Sequence, residues 1–184
     1  MMEVGKRKAQ AKLLRTARKV HRVLGIFLFV FFFIIAVTGL LLGWKKQTGL
    51  LPPSGTGVSV NAAQWLPIDS LKQRANFYLS ASVDKDLSKE IDRIDVRPAK
   101  GMVKFVYAHH FWELQLDCTT GALLQVSRRN SDIIEKIHDA SIMDYNFNSG
   151  DWIKLIYNTI MGLALILFTV TGFWLWYGPK RMRR

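Results

Sequence analysis

Two runs of hydrocarbon, Leu24 to Trp44 and Leu155 to Tyr177, constrain this chain of 184 residues more than anything else in it. Each exceeds the ~20 residues that a helix needs to cross ~30 Å of hydrocarbon, and inside lipid only a helix or a closed barrel satisfies its own backbone. The chain is therefore predicted to cross a membrane twice, as two antiparallel helices. A basic segment precedes the first run, as in a secretory signal. Signal h-regions stop after about 7–15 residues at a small-residue cleavage site. This run continues into "LLLGWKK", as an uncleaved anchor does.

A formal net charge of +12 would ordinarily suggest nucleic acid as a partner, but its distribution argues against one. Eight Lys and Arg stand before residue 23 against Glu3 alone, and four more lie among the last five residues. From Lys45 to Asp151, thirteen basic residues balance thirteen acidic ones. Basic clusters flanking spans mark the cytoplasmic side. The expected protein is thus two-pass in a bacterial inner membrane, with both termini cytoplasmic and residues 45–151 periplasmic. Lys45 and Lys46 oppose the rule but are outnumbered. The expected organisation is a basic arm at 1–23, a first span at 24–44, a linker at 45–61 and an outer domain at 62–129. A membrane-proximal segment at 130–151, a second span at 152–177 and a basic tail at 178–184 follow.

In the outer region, "LPIDSLKQRANFYL" places Ile68, Leu71, Ala75 and Leu79 at helical spacings after Pro67, which predicts a helix over 67–81. The period then changes to two. "RIDVRP", "MVKFVYA", "FWELQLD" and "ALLQVSR" read as strands separated by "AKG", "HH" and "CTTG", giving one helix packed on an antiparallel meander. The fold class is a membrane α+β protein. Cys118 has no second cysteine to pair with, so it reads as a small strand-end residue.

The meander ends in "LDCTTGALL" (116–124), which resembles the last hairpin of the PepSY domain: an Asp, a turn and Thr-Gly before an apolar strand. "HRVLGIFLFVFFFIIAVTGLLLGW" resembles the first helix of PepSY-associated transmembrane proteins, and "IHDASIMDYNF" with "GLALILFTVTGFWLW" resembles their later segment. The resemblance covers about residues 18 to 180, in the form of a short, two-helix branch. It implies a place in iron or siderophore acquisition, since larger relatives are associated with it and some resemble haem-bearing reductases. It also implies that His21 and His138 are the candidate haem b ligands. Some PepSY domains have been proposed to regulate proteases.

Both spans carry "VTG". Small residues let membrane helices approach closely, so Thr38, Gly39, Thr171 and Gly172 read as packing positions, with Gly162 expected at the level of Thr38. Asn158 is the most polar residue within either span and needs a hydrogen-bond partner on the first helix or a second protomer. Trp44, Trp152, Trp174, Trp176 and Tyr177 suit an aromatic belt.

His109 and His110 fall in a predicted hairpin turn. His138 shares a helical face with Ile134 and Ile142. His21 stands thirteen residues before Ile34, roughly 20 Å toward the cytoplasm, while His138 is expected beyond the opposite face, so one iron cannot hold both within a protomer. Two readings of His21 stand: a helix-end residue facing lipid phosphates, or a haem ligand completed by a homodimer or another inner-membrane subunit. No phosphate loop, nucleophile motif or paired metal ligands occur. The chain is expected to be at most a subunit of a membrane reductase. The alternative is a cofactor-free tethered module whose outer domain binds a periplasmic protein, peptide or siderophore.

Overall fold

The computed structural model describes residues 2–147 and 149–183; Met1, Asn148 and Arg184, the last counted above in the basic tail, lie outside the described residues. The chain divides into a helical unit, residues 2–40 with 135–183, and a sheet unit, residues 41–134.

In the helical unit, α1 (Met2–Gly43) and α5 (Trp152–Arg183) run antiparallel. Leu14 meets Gly178, Gly25 faces Phe168, and the Phe31 ring lies 6.3 Å from that of Tyr157. At 1.5 Å per residue α1 extends ~63 Å, about twice the hydrocarbon thickness. The basic arm is therefore a continuation of the first span's helix, held to the end of α5 where Leu14 is 6% exposed. Elsewhere the pair turns its large side chains outward: Phe27, Phe33, Leu163 and Ile166 are among many exposed apolar residues. Only 6% and 11% of the two most apolar windows are buried, so these helices are not the core of a water-soluble bundle. They are two membrane-spanning helices.

The sheet unit follows the sequence pattern closely. Helix α2 (Ile68–Ser82) lays Leu71, Ala75 and Leu79 on a four-stranded antiparallel sheet ordered β1 (Ile91–Arg97), β2 (Met102–Tyr107), β3 (Trp112–Asp117) and β4 (Leu123–Arg128). Val103 pairs with Leu116 and Phe105 with Leu114, so alternate residues of both strands face α2 and complete the core.

The opposite face carries Lys104, Glu113, Gln115 and Asp117, each at most 4% exposed. Residues expected to form a free linker bury them. Gly55 N–H donates to Gln115 Oε1, whose amide donates to Pro53 O; Gly57 N–H donates to Lys100 O and Val58 N–H to Asp117. Gly57 and Gly101 come so close that a Cβ on Gly57 would strike Gly101 O, which explains glycine there. Part of the 45–61 segment is thus a strap bound to the sheet, because buried polar groups on that face need partners.

Glu113 is the centre of this polar layer. It accepts from Lys104 Nζ at 2.9 Å, from the Gln115 amide at 2.7 Å and from Arg129, which also bonds Asp132. Burial pulls the Arg129 guanidinium down, but the bonds to Asp132 and Glu113 outweigh it and hold its pKa above the usual value.

Candidate functional site

The two "VTG" motifs and the two histidines selected by sequence form two like junctions in the helical unit. Thr38 Oγ1 of α1 lies 2.8 Å from His138 Nδ1, and Thr171 Oγ1 of α5 lies 3.0 Å from His21 Nδ1. The glycine after each threonine admits the same ring. A Cβ on Gly39 would stand 3.6 Å from His138 Cε1, and one on Gly172 would stand 3.2 Å from His21 Cε1. The small residues therefore seat histidines, beyond letting backbones approach. His21 is held further by stacking on Phe168, with ring centroids 3.9 Å apart.

Each threonine also bonds its own helix. Thr38 Oγ1 reaches Ile34 O at 2.6 Å, and Thr171 Oγ1 reaches Leu167 O at 2.7 Å. A hydroxyl has one proton, and a carbonyl oxygen can only accept it. Assigning the proton to these short bonds makes both hydroxyls acceptors toward imidazole, so Nδ1–H donates and Nε2 is the nitrogen left over. Neither Nε2 makes a hydrogen bond among the described residues.

His138 reaches Thr38 because the helix expected through Ile134, His138 and Ile142 is broken. Helix α3 (Asn130–His138) ends at the histidine, Ala140 takes φ +60°, and α4 (Ser141–Phe147) starts in a new direction. Asp139 pins the break through Ser141 N–H and Lys154 Nζ, the latter at 2.8 Å. Asp144 then accepts from the N–H groups of Ile153 and Lys154, capping α5 as an anion should. Burial raises the carboxyl pKa of Asp144, but the Ser149 hydroxyl and those N–H groups bring it below the usual range. His138, expected beyond the membrane face, bonds to Thr38, six residues before Trp44, or ~9 Å along α1. Thr171 stands the same six residues inside Tyr177. From His21 to Thr38 is seventeen residues of α1, ~25 Å, so the junctions are separate.

Other positions singled out by sequence behave differently. Gly162 is exposed, and a Cβ there would meet nothing within 4 Å; the buried residues beside it are Met161 and Ala164. Within one chain Gly162 is no packing contact. Asn158 is exposed, and its amide has no hydrogen bond among the described residues. His109 bonds Glu90 at 2.8 Å and His110 bonds Ser88 O at 2.9 Å, both at the surface. Among the described residues no group of three or more His, Cys, Asp and Glu side chains is placed to hold a bare metal ion. Sequence reading missed Phe168, Asp139, Asp144 and Lys154. None of these had a readable signal, since Asp144 lies within α4 and reaches the start of α5 only through the fold.

Over residues 18–184 the sequence matches the family described as PepSY-associated TM region. No curated protein matches the chain, and no solved structure does.

Proposed function

The chain belongs to the PepSY-associated transmembrane family, and from that premise we propose that it is an inner-membrane electron-transfer accessory of iron or siderophore acquisition, each histidine junction holding a haem b. The observation that carries the haem reading is the arrangement of the imidazoles: Thr38 and Thr171 hold Nδ1, which leaves Nε2 as the ligand nitrogen. Hydrogen bonding the far nitrogen of a ligating histidine orients the ring and raises its basicity.

The surroundings fit the group. Nitrogen donors from neutral imidazole suit haem iron. Trp174, one turn beyond Thr171 on the same face of α5, has a buried indole N–H without an acceptor among the described residues, and an anionic propionate would satisfy it. Each junction supplies one histidine, so any further ligand to the iron would come from a second copy of the chain or another subunit. Haem bound there supplies one-electron redox chemistry. The protein's own contribution is to fix ring orientation, through Thr38 and Gly39 at one junction and through Thr171, Gly172 and Phe168 at the other. The place in iron or siderophore acquisition rests on family membership, and the sidedness, with cytoplasmic termini, rests on the charge asymmetry of the sequence.

The test is an absorption spectrum of the detergent-purified chain after haem supplementation. A sharp band near ~410 nm that weakens in His21→Ala, and separately in His138→Ala, supports two independent sites. A colourless wild-type protein would overturn the reading. The stacking of His21 on Phe168 favours a second reading, in which the histidines are cofactor-free pins and the sheet unit is a tethered binding or protease-regulating module. In that case His21→Ala loosens the helix pair without any change in colour.

A further inference from the structure

One wall of a cleft of about 490 Å³ in the sheet unit is the strap, and the other is the β1–β2 connection; its volume is that of a small-ligand site. Five cations line it, Lys46, Arg97, Lys100, Lys104 and Arg129, against the single acid Asp95. Lys104 and Arg129 form its floor, with side chains only 5% and 10% exposed, and both are anchored on the fully buried Glu113. Even with Glu113 and the Arg129 partner Asp132 counted, three carboxylates answer five cations. Lys46 and Arg97, at the mouth, are exposed and have no ion pair among the described residues.

The location along the chain selects the anion. Lys46 follows the end of α1 at Gly43 by three residues and Trp44, the expected belt residue, by two, so chain length keeps it close to the end of the span. Lys46, one of the two lysines that oppose the positive-inside pattern, lines the cleft. Guanidinium and ammonium groups with few solvent contacts match phosphate oxygens by charge-assisted hydrogen bonds that salt screens weakly. We propose that this cleft binds the phosphate group of an anionic ligand, either a phospholipid headgroup from the leaflet that α1 leaves at Gly43 or a soluble phosphate compound.

The full chain in detergent is tested in two arms. Native mass spectrometry counts retained phosphatidylglycerol against phosphatidylcholine, and calorimetry titrates inorganic phosphate. Wild type is expected to retain phosphatidylglycerol preferentially, or to bind inorganic phosphate. Arg97→Gln and Lys46→Gln each weaken that binding at least about tenfold, the effect of one lost charge-assisted hydrogen bond. Lys72→Gln, an exposed cation of α2 outside the cleft, leaves it unchanged. Lys104 and Arg129 are left in place so that Glu113 stays paired, and near-UV circular dichroism checks that the variants fold. Binding of the lipid alone supports a headgroup site, and binding of free phosphate alone supports a soluble ligand. Binding of neither, or equal losses in Arg97→Gln and Lys72→Gln, overturns the proposal.

Discussion

Replacing Thr171 by valine isolates one link in the His21 junction. Valine keeps the branched shape but removes Oγ1, the acceptor 3.0 Å from His21 Nδ1. The Phe168 stack at 3.9 Å and the space above Gly172 remain, so the ring has reason to stay in place. What it loses is the preference for a proton on Nδ1. Interhelical hydrogen bonds in membranes average about 0.6 kcal/mol and reach about 1.7, so the ratio of Nδ1–H to Nε2–H rings should fall by about threefold to eighteenfold. Solid-state NMR of the chain in lipid, with ¹⁵N-labelled histidine, reads the protonation of each nitrogen directly. In the wild type both His21 and His138 should be protonated mainly on Nδ1. Thr171→Val should move only His21, and Thr38→Val only His138, because ~25 Å of helix separates the junctions. A wild-type His21 carrying its proton on Nε2, or a ratio untouched by Thr171→Val, refutes the hydroxyl assignment and the ligand argument built on it. If haem is bound, the same variants should weaken its retention about 10- to 100-fold, the usual effect of losing the partner of a ligating histidine.

Glu113→Ala leaves Lys104 and Arg129 buried without their shared counter-charge, and should destabilise the sheet unit by about 3–5 kcal/mol in denaturant titrations followed by near-UV circular dichroism; a loss under about 1 kcal/mol would falsify the role given to this layer. Burial pulls the Asp117 carboxyl upward, yet N–H groups of Thr119, Val58 and Thr120 hold its pKa below the usual range, so its ionised form stabilises the fold above the ordinary carboxylate pKa and that stability is lost as pH falls through the lower folded value. Asp117→Asn should lower stability at pH 7 and flatten the acid limb of the sheet unit's pH–stability curve, and an unchanged curve counts against the strap anchor. Gly162→Leu should leave the association of α1 and α5 in a single chain unaltered, since a Cβ there meets open space; weaker pairing by energy transfer between labelled helices would show that the residue is a contact after all.

The two levels of the structure differ in how much of them the sequence discloses. The sheet unit was legible because its information is local: period-two strands, a turn set by Asp117 and Gly121, and a helix whose apolar residues recur at three and four. The strap escaped because Pro, Gly, Ser and Thr look the same in a free linker as in a segment whose backbone is consumed by Gln115 and Asp117 sixty residues away. In the helical unit the right residues were visible and their relations were not. Thr38 and Thr171 read as packing positions, yet each also bonds a histidine, at separations of 100 and 150 residues that no periodicity encodes. The break at Ala140 was equally hidden, since alanine is a strong helix former and its positive φ is imposed by Asp139, Ser141 and Lys154 together. That break has a functional consequence. Had α3 continued as a straight helix through Ile142, His138 would have no reason to reach six residues down the span of α1. The pairing of Thr38 with His138 goes with a turn pinned by the Asp139–Lys154 ion pair, and that of Thr171 with His21 with the antiparallel pairing of α1 and α5, so neither is specified by the hydrocarbon sequence of one span alone.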